Sequence, residues 1–151
     1  MSANLPSKLN GAAAQSERAA LPAVTVFVCV SCGRATDGGA LERPGAGLVE
    51  ALSSRFAAAG AEDVTVTGVE CLAVCKRPCT VAVTADGCWT YLVGDLDPEQ
   101  HTGDIVSAVL AYRRSGNGIV PWAERPAPFR KGVIARVPPP GFVQPVPEPA
   151  A

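Results

Sequence analysis

Val24-Thr25-Val26-Phe27-Val28-Cys29-Val30, followed at once by Ser31-Cys32-Gly33, is the run from which the rest of the chain can be read. Its residues are β-branched or apolar without alternation, which is how a short strand buried on both faces reads. The strand ends on a Cys-x2-Cys turn, Cys29 and Cys32, closed by a glycine. Moving outward, Arg34 to Gly45 carries Gly38, Gly39 and Pro44 and is a loop. From Gly47 the apolar residues Leu48, Leu52 and Phe56 recur one helical turn apart, with Val49 beside them and Gly60 as the stop. Val64-Thr65-Val66-Thr67-Gly68-Val69 then alternates as a second strand.

Glu70 to Pro78 is the next loop and carries Cys71 and Cys75. Thr80-Val81-Ala82-Val83 and Trp89-Thr90-Tyr91-Leu92-Val93 follow, joined by Asp86-Gly87, a strong hairpin signal. Asp97-Pro98-Glu99 reads as a helix cap with proline at the first helical position. The helix it predicts presents Ile105, Val109 and Tyr112 on one face, flanked by Val106 and Leu110. The element order is β-α-β-β-β-α. One four-stranded mixed sheet with helices packed on it satisfies that order most simply, an α/β architecture of the thioredoxin-like kind.

Proline divides the chain further. Nine of the 14 prolines fall between Pro121 and Pro149, so this Pro-rich C-terminal extension is expected to run extended over the surface. Between Arg113 and Arg136 six basic residues (Arg113, Arg114, Arg125, Arg130, Lys131, Arg136) face a single acid, Glu124, with Trp122, Phe129, Val133 and Ile134 interleaved. The expected divisions are a flexible leader at 1–22, a folded domain at 23–114, a basic and aromatic extension at 115–137 and a disordered tail at 138–151.

Composition excludes several classes of function. A formal net charge of −1 gives no global attraction to nucleic acid or to an anionic membrane. No apolar run approaches the roughly 20 residues of a membrane helix, and the leader lacks the apolar stretch of a secretory signal. A cytoplasmic protein is therefore expected. There is no P-loop, no glycine-rich dinucleotide fingerprint, and the single histidine, His101, reads as a solvated helix residue. The acidic cluster Asp95, Asp97, Glu99 and Asp104 reads as helix-capping charge. No catalytic constellation stands out, so an enzyme is not expected.

Six cysteines in a chain without export signals point to metal or redox chemistry rather than to a disulfide framework. Their spacing is Cys29-x2-Cys32, then Cys71-x3-Cys75-x3-Cys79, and finally Cys88. Two close pairs far apart in sequence suit a four-thiolate site. In a [2Fe–2S] cluster two thiolates bind each iron, so the pairs can divide the irons. Structural zinc uses four thiolates equally well. Thiol–disulfide exchange through Cys29 and Cys32 is a third reading, which leaves Cys71 and Cys75 idle. One histidine is too few for a Rieske centre. Cys88 reads as a small buried hydrophobe, and Cys79 either as the same or as a substitute ligand.

Cys71-Leu72-Ala73-Val74-Cys75-Lys76-Arg77-Pro78 resembles the second cysteine pair of the thioredoxin-like [2Fe–2S] ferredoxins. The wider pattern is similar to a DUF1636-like family of small bacterial proteins described as predicted metal-binding. It is carried by Cys29-Val30-Ser31-Cys32, by Cys71 through Thr80, by Gly118-Ile119-Val120-Pro121-Trp122, and by Arg130 through Pro138. The resemblance implies Cys29, Cys32, Cys71 and Cys75 as cluster ligands, although related ferredoxins space the first pair more widely. It implies a ferredoxin-type carrier of single electrons, and the family's frequent association with cobalamin-synthesis genes adds an expected role in cobalt–corrin metabolism. The alternatives are a metal-delivery accessory protein and a redox-inert zinc protein. The expected partner is a redox or metallo-enzyme docking on Arg113–Arg136, and a homodimer is left open.

Overall fold

The opening run is strand β1, Val24–Cys29. Residues 21–150 are described by a computed structural model, so most of the expected leader lies outside the described residues. After β1 come a small hairpin of β2 (Arg34–Ala35) and β3 (Leu41–Glu42), helix α1 (Gly45–Ala58) and strand β4 (Val64–Val69). Strands β5 (Val81–Ala85) and β6 (Thr90–Val93), helix α2 (Thr102–Arg114), a 3-10 turn at Trp122–Glu124, the short helix α3 (Pro128–Lys131) and strand β7 (Val133–Val137) complete the chain.

The main sheet has the order β4-β1-β5-β6-β7. β1 runs parallel to β4, as a strand-helix-strand unit requires, and antiparallel to β5. The strand register carries Val24, Val26 and Val28 onto the same face as Val81, Val83, Tyr91 and Val93. These residues form one buried cluster with Leu48, Leu52 and Phe56 of α1 and Ile105, Val109 and Tyr112 of α2. Both long helices therefore cover a single face, where burial removes most apolar area from water. On the other face Thr25, Phe27 and Leu92 are only half-buried, so the expected burial of β1 on both faces is complete on one.

The thioredoxin-like mixed α/β fold stands, with five strands in place of the expected four. The addition is β7, which pairs antiparallel with β6 through Leu92↔Ala135 and Tyr91↔Arg136. It escapes a reading based on proline because Pro128 and Pro138 bracket the strand without entering it, and an edge strand tolerates such flanks. The second helix also starts later than expected. Asp97 Oδ1 accepts the amides of Glu99 (2.8 Å) and Gln100 (3.1 Å), capping a separate turn, and α2 begins only at Thr102.

Two glycines are required by close approach at positions that matter below. A Cβ at Gly45 would overlap the carbonyl of Cys29, so α1 starts directly against the end of β1. Gly118, at φ +84°, lies so close to Trp89 that a Cβ would meet its backbone oxygen at 2.7 Å. Trp89 N donates to Asn117 O (2.8 Å) and Val120 N donates to the Tyr91 hydroxyl (3.1 Å). The Gly118–Trp122 motif is thus a strap that binds the extension to β6. Farther on, Phe142 stacks edge-on against Trp89 at 5.1 Å. Among the described residues no helix is long and apolar enough to cross a membrane.

Candidate metal centre

The parallel register Cys29↔Val69 places the C-terminal ends of β1 and β4 side by side. Both cysteine-bearing loops therefore leave the sheet at the same end. Val30 N donates to Val69 O (2.9 Å), Cys29 N to Thr80 O (3.0 Å), and the Ser31 hydroxyl to Glu70 O. These bonds tie the Cys29–Cys32 turn to the start of the Cys71 loop and to the residue before β5. Backbone pairing, joined by the Ser31 side chain, brings the two cysteine segments together.

Cys29 and Cys32 are buried with their sulfurs 3.0 Å apart, and the Cys29 sulfur lies 3.7 Å from Glu70 O. Cys71 and Cys75 are exposed. Ala73 adopts φ +61°, in the left-handed region that costs a residue with a Cβ about 1 kcal/mol or more. That conformation aims its amide at the Cys71 sulfur, 3.1 Å away. Cys79 is fully buried in the hydrophobic cluster, and its amide donates to Leu96 O at 3.1 Å. Cys88 is also in the core, where burial first and the charge of Asp86 second push its thiol up.

The electrostatics of the first pair are uneven. Burial opposes ionisation of Cys29. The Cys32 thiol, the amides of Leu72 and Cys32 and the Ser31 hydroxyl stabilise its thiolate, and they bring it from 9.0 down to about 7. Cys32 is pushed from 9.0 up to about 12 by burial, by its hydrogen bond to Cys29, and by the charges of Cys29, Cys75 and Cys71. The loop cysteines thus lie close enough for their charge to reach Cys32. A metal ion nearby would oppose the upward shift of Cys32 and add to the downward shift of Cys29, because it favours every thiolate at once.

A [2Fe–2S] cluster asks for two thiolate pairs rather than four ligands on one ion. The donor chemistry fits it: two thiol pairs at one end of the sheet, one sealed from water and one open to it. Two thiolates on one tetrahedral ion sit ~3.8 Å apart, given bonds of about 2.3 Å, so the first pair needs only a small spread. Among the described residues no three His, Cys, Asp or Glu side chains converge tightly enough to hold a single metal ion.

The sequence reading missed the residues that position this end of the fold. Arg77 forms an ion pair with Asp95 at 2.7 Å, and Asp95 N donates to Arg77 O (3.1 Å), clamping the cysteine loop to the turn after β6. Gly94 N donates to Gly132 O (2.9 Å), which joins α3 and β7 to the same turn. None of these contacts has a local sequence signature, because each links segments far apart in the chain. Cys79 could have been placed in the core from its neighbours Thr80-Val81-Ala82-Val83, which open a buried strand.

No curated protein matches the chain in sequence. Its structure is similar to that of a thioredoxin-like [2Fe–2S] ferredoxin from Aquifex aeolicus, with a TM-score of 0.51 and 21% identity. That match covers 80% of this chain and 97% of the ferredoxin, and it supports the fold. A family model described as "Protein of unknown function (DUF1636)" matches residues 26–139, both cysteine pairs and both C-terminal motifs included, and the chain belongs to that family.

Proposed function

We propose that this protein carries a [2Fe–2S] cluster on Cys29, Cys32, Cys71 and Cys75 and passes single electrons to or from a partner, acting as a carrier rather than an enzyme. The observation that supports this most is the meeting of a sealed thiol pair and an open thiol pair at one end of the sheet. The cluster supplies reversible one-electron chemistry at a site that needs no substrate pocket. The chain's own residues hold the thiolates, exclude water from the Cys29 side and leave the Cys75 side facing a partner. The described likeness to a ferredoxin, which covers 97% of that chain, adds weight.

The partner would dock beside the cysteines. β7 starts at the sheet end where β1, β4 and β6 finish, so α3, with Arg130 and Lys131, lies at the cysteine end of the sheet and is joined through Gly132 to the turn that Arg77 clamps. Trp122 is 62% exposed, with the guanidinium groups of Arg125 (5.5 Å) and Arg130 (5.9 Å) over its ring. Tryptophan and arginine together are the usual composition of a binding hot spot, and the positive charge suits an acidic partner. Arg113 is engaged with Asp63 and Arg136 lies over the Trp89 ring toward the other end of β6, so the docking surface is drawn from Arg125 to Lys131. A place in cobalt–corrin metabolism is proposed on the family resemblance alone.

Anaerobic purification, visible absorption, iron and sulfide assay, and EPR after dithionite reduction test the cluster. The expected result is a coloured protein with two irons and two sulfides per chain and a signal on reduction. A colourless protein with one zinc per chain would overturn it in favour of a structural zinc site.

A further inference from the structure

The two cysteine pairs differ in what their sulfurs touch. Cys29 and Cys32 are 0% and 4% exposed, and their sulfurs face one another at 3.0 Å. A disulfide needs the sulfurs at about 2.05 Å, so roughly 1 Å of closure suffices. Cys71 stands on the exposed loop with its sulfur taken by the Ala73 amide. We infer that Cys29 and Cys32 form an internal disulfide when the unloaded protein meets peroxide, which makes this turn an oxidation site and loading of the centre conditional on reduction.

The chemistry balances. One thiol of the pair attacks the O–O bond of hydrogen peroxide, giving a sulfenic acid and releasing water. The neighbouring thiol then displaces the hydroxyl as a second water, leaving the S–S bond. Two thiols lose two protons and two electrons, and peroxide accepts both. Peroxide, little larger than water, enters at Cys32, which keeps 4% exposure, whereas a bulky protein oxidant has no access. Oxidation withdraws two of the four thiolates that the centre would use. Control of loading rests on the ligand set proposed above; formation of the disulfide does not.

The three cysteine pairs fall in separate tryptic peptides, 19–34, 56–76 and the one holding Cys79 and Cys88, so a single map reads all of them. Full-length unloaded protein, reduced and freed of reductant anaerobically, is treated with stoichiometric hydrogen peroxide. It is then alkylated under denaturing conditions and digested. The expected mass spectrum shows peptide 19–34 with no alkyl label and two hydrogens fewer, while peptide 56–76 keeps both labels. Two labels on peptide 19–34, or a cross-link from it to peptide 56–76, would overturn the proposal. Ferrous iron and sulfide are then added to the oxidised sample, and colour is expected only after dithiothreitol. Colour without reductant would overturn control of loading. A mapped disulfide in a protein that, once reduced, takes up one zinc and no cluster would leave the oxidation site standing and remove the ferredoxin reading.

Discussion

Cys29 and Cys32 close a strand at the interior of the sheet, whereas Cys71 and Cys75 ride a loop with water on one side. The first pair is held by the parallel register with β4, the antiparallel register with β5 and the start of α1 at Gly45. The second pair is held by a few loop bonds: the Ser31 hydroxyl on Glu70 O, the Ala73 amide on Cys71, and the Arg77–Asp95 clamp. One half of the centre is therefore part of the folding core, and the other is laid against it. Their failure modes should differ.

The largest effect separates them outright. Cys71→Ser or Cys75→Ser should abolish the visible absorption of the reconstituted protein. The same changes should move the stability of the unloaded fold by no more than ~0.5 kcal/mol, because the side chains are exposed. Reconstitution with iron and sulfide, set beside urea unfolding of the unloaded variants, measures both. Retained colour in either variant would break the comparison at its base.

Cys79→Ser is expected to do the reverse. A hydroxyl in place of a fully buried sulfur should cost about 1–3 kcal/mol in urea unfolding while colour persists. Colour lost with Cys79→Ser but kept with Cys32→Ser would make Cys79 the fourth ligand. Gly45→Ala should also cost about 1–3 kcal/mol, since its Cβ overlaps the Cys29 carbonyl. That loss should be accompanied by weaker retention of the cluster, read as faster bleaching in a chelator.

A pH titration sharpens the contrast within the sealed pair. Ultraviolet thiolate absorbance of the unloaded protein should show Cys29 losing its proton near about 7 and Cys32 only near about 12. The sign for stability follows. Cys29 ionises more readily folded than unfolded, so its contribution is complete above 9.0 and is lost as pH falls through about 7. Cys32 is shifted the other way, so its contribution is present below 9.0 and lost as pH rises toward about 12. Smallest of all, Arg77→Ala should change stability by less than ~1 kcal/mol, because the Arg77–Asp95 pair is largely exposed.

Legibility followed the range of the interactions. β1, α1, β4 and the β5–β6 hairpin announce themselves by local periodicity and by Asp86-Gly87, signals a few residues long. β7 did not, because its partner β6 lies some forty residues earlier and the surrounding prolines mask it. The start of α2 was misplaced because Asp97-Pro98 is an equally good signal for a capped turn. In the candidate centre spacing showed two cysteine clusters, and the resemblance, not spacing, chose Cys75 over Cys79 within the second. The difference in exposure between the pairs was not legible, since Cys71 and Cys75 are flanked by Leu72, Ala73 and Val74, as apolar as the neighbours of Cys29.

By itself the sequence determined the order of β1, α1, β4, β5, β6 and α2, the family and the presence of two thiol pairs, because each is written in local pattern or spacing. Only the tertiary structure decided that both pairs share one sheet end, that one is sealed and the other open, and that the basic α3 lies at that same end. Those facts depend on strand register and on close approach at Gly45, Gly94 and Gly132, contacts between segments that no local window contains.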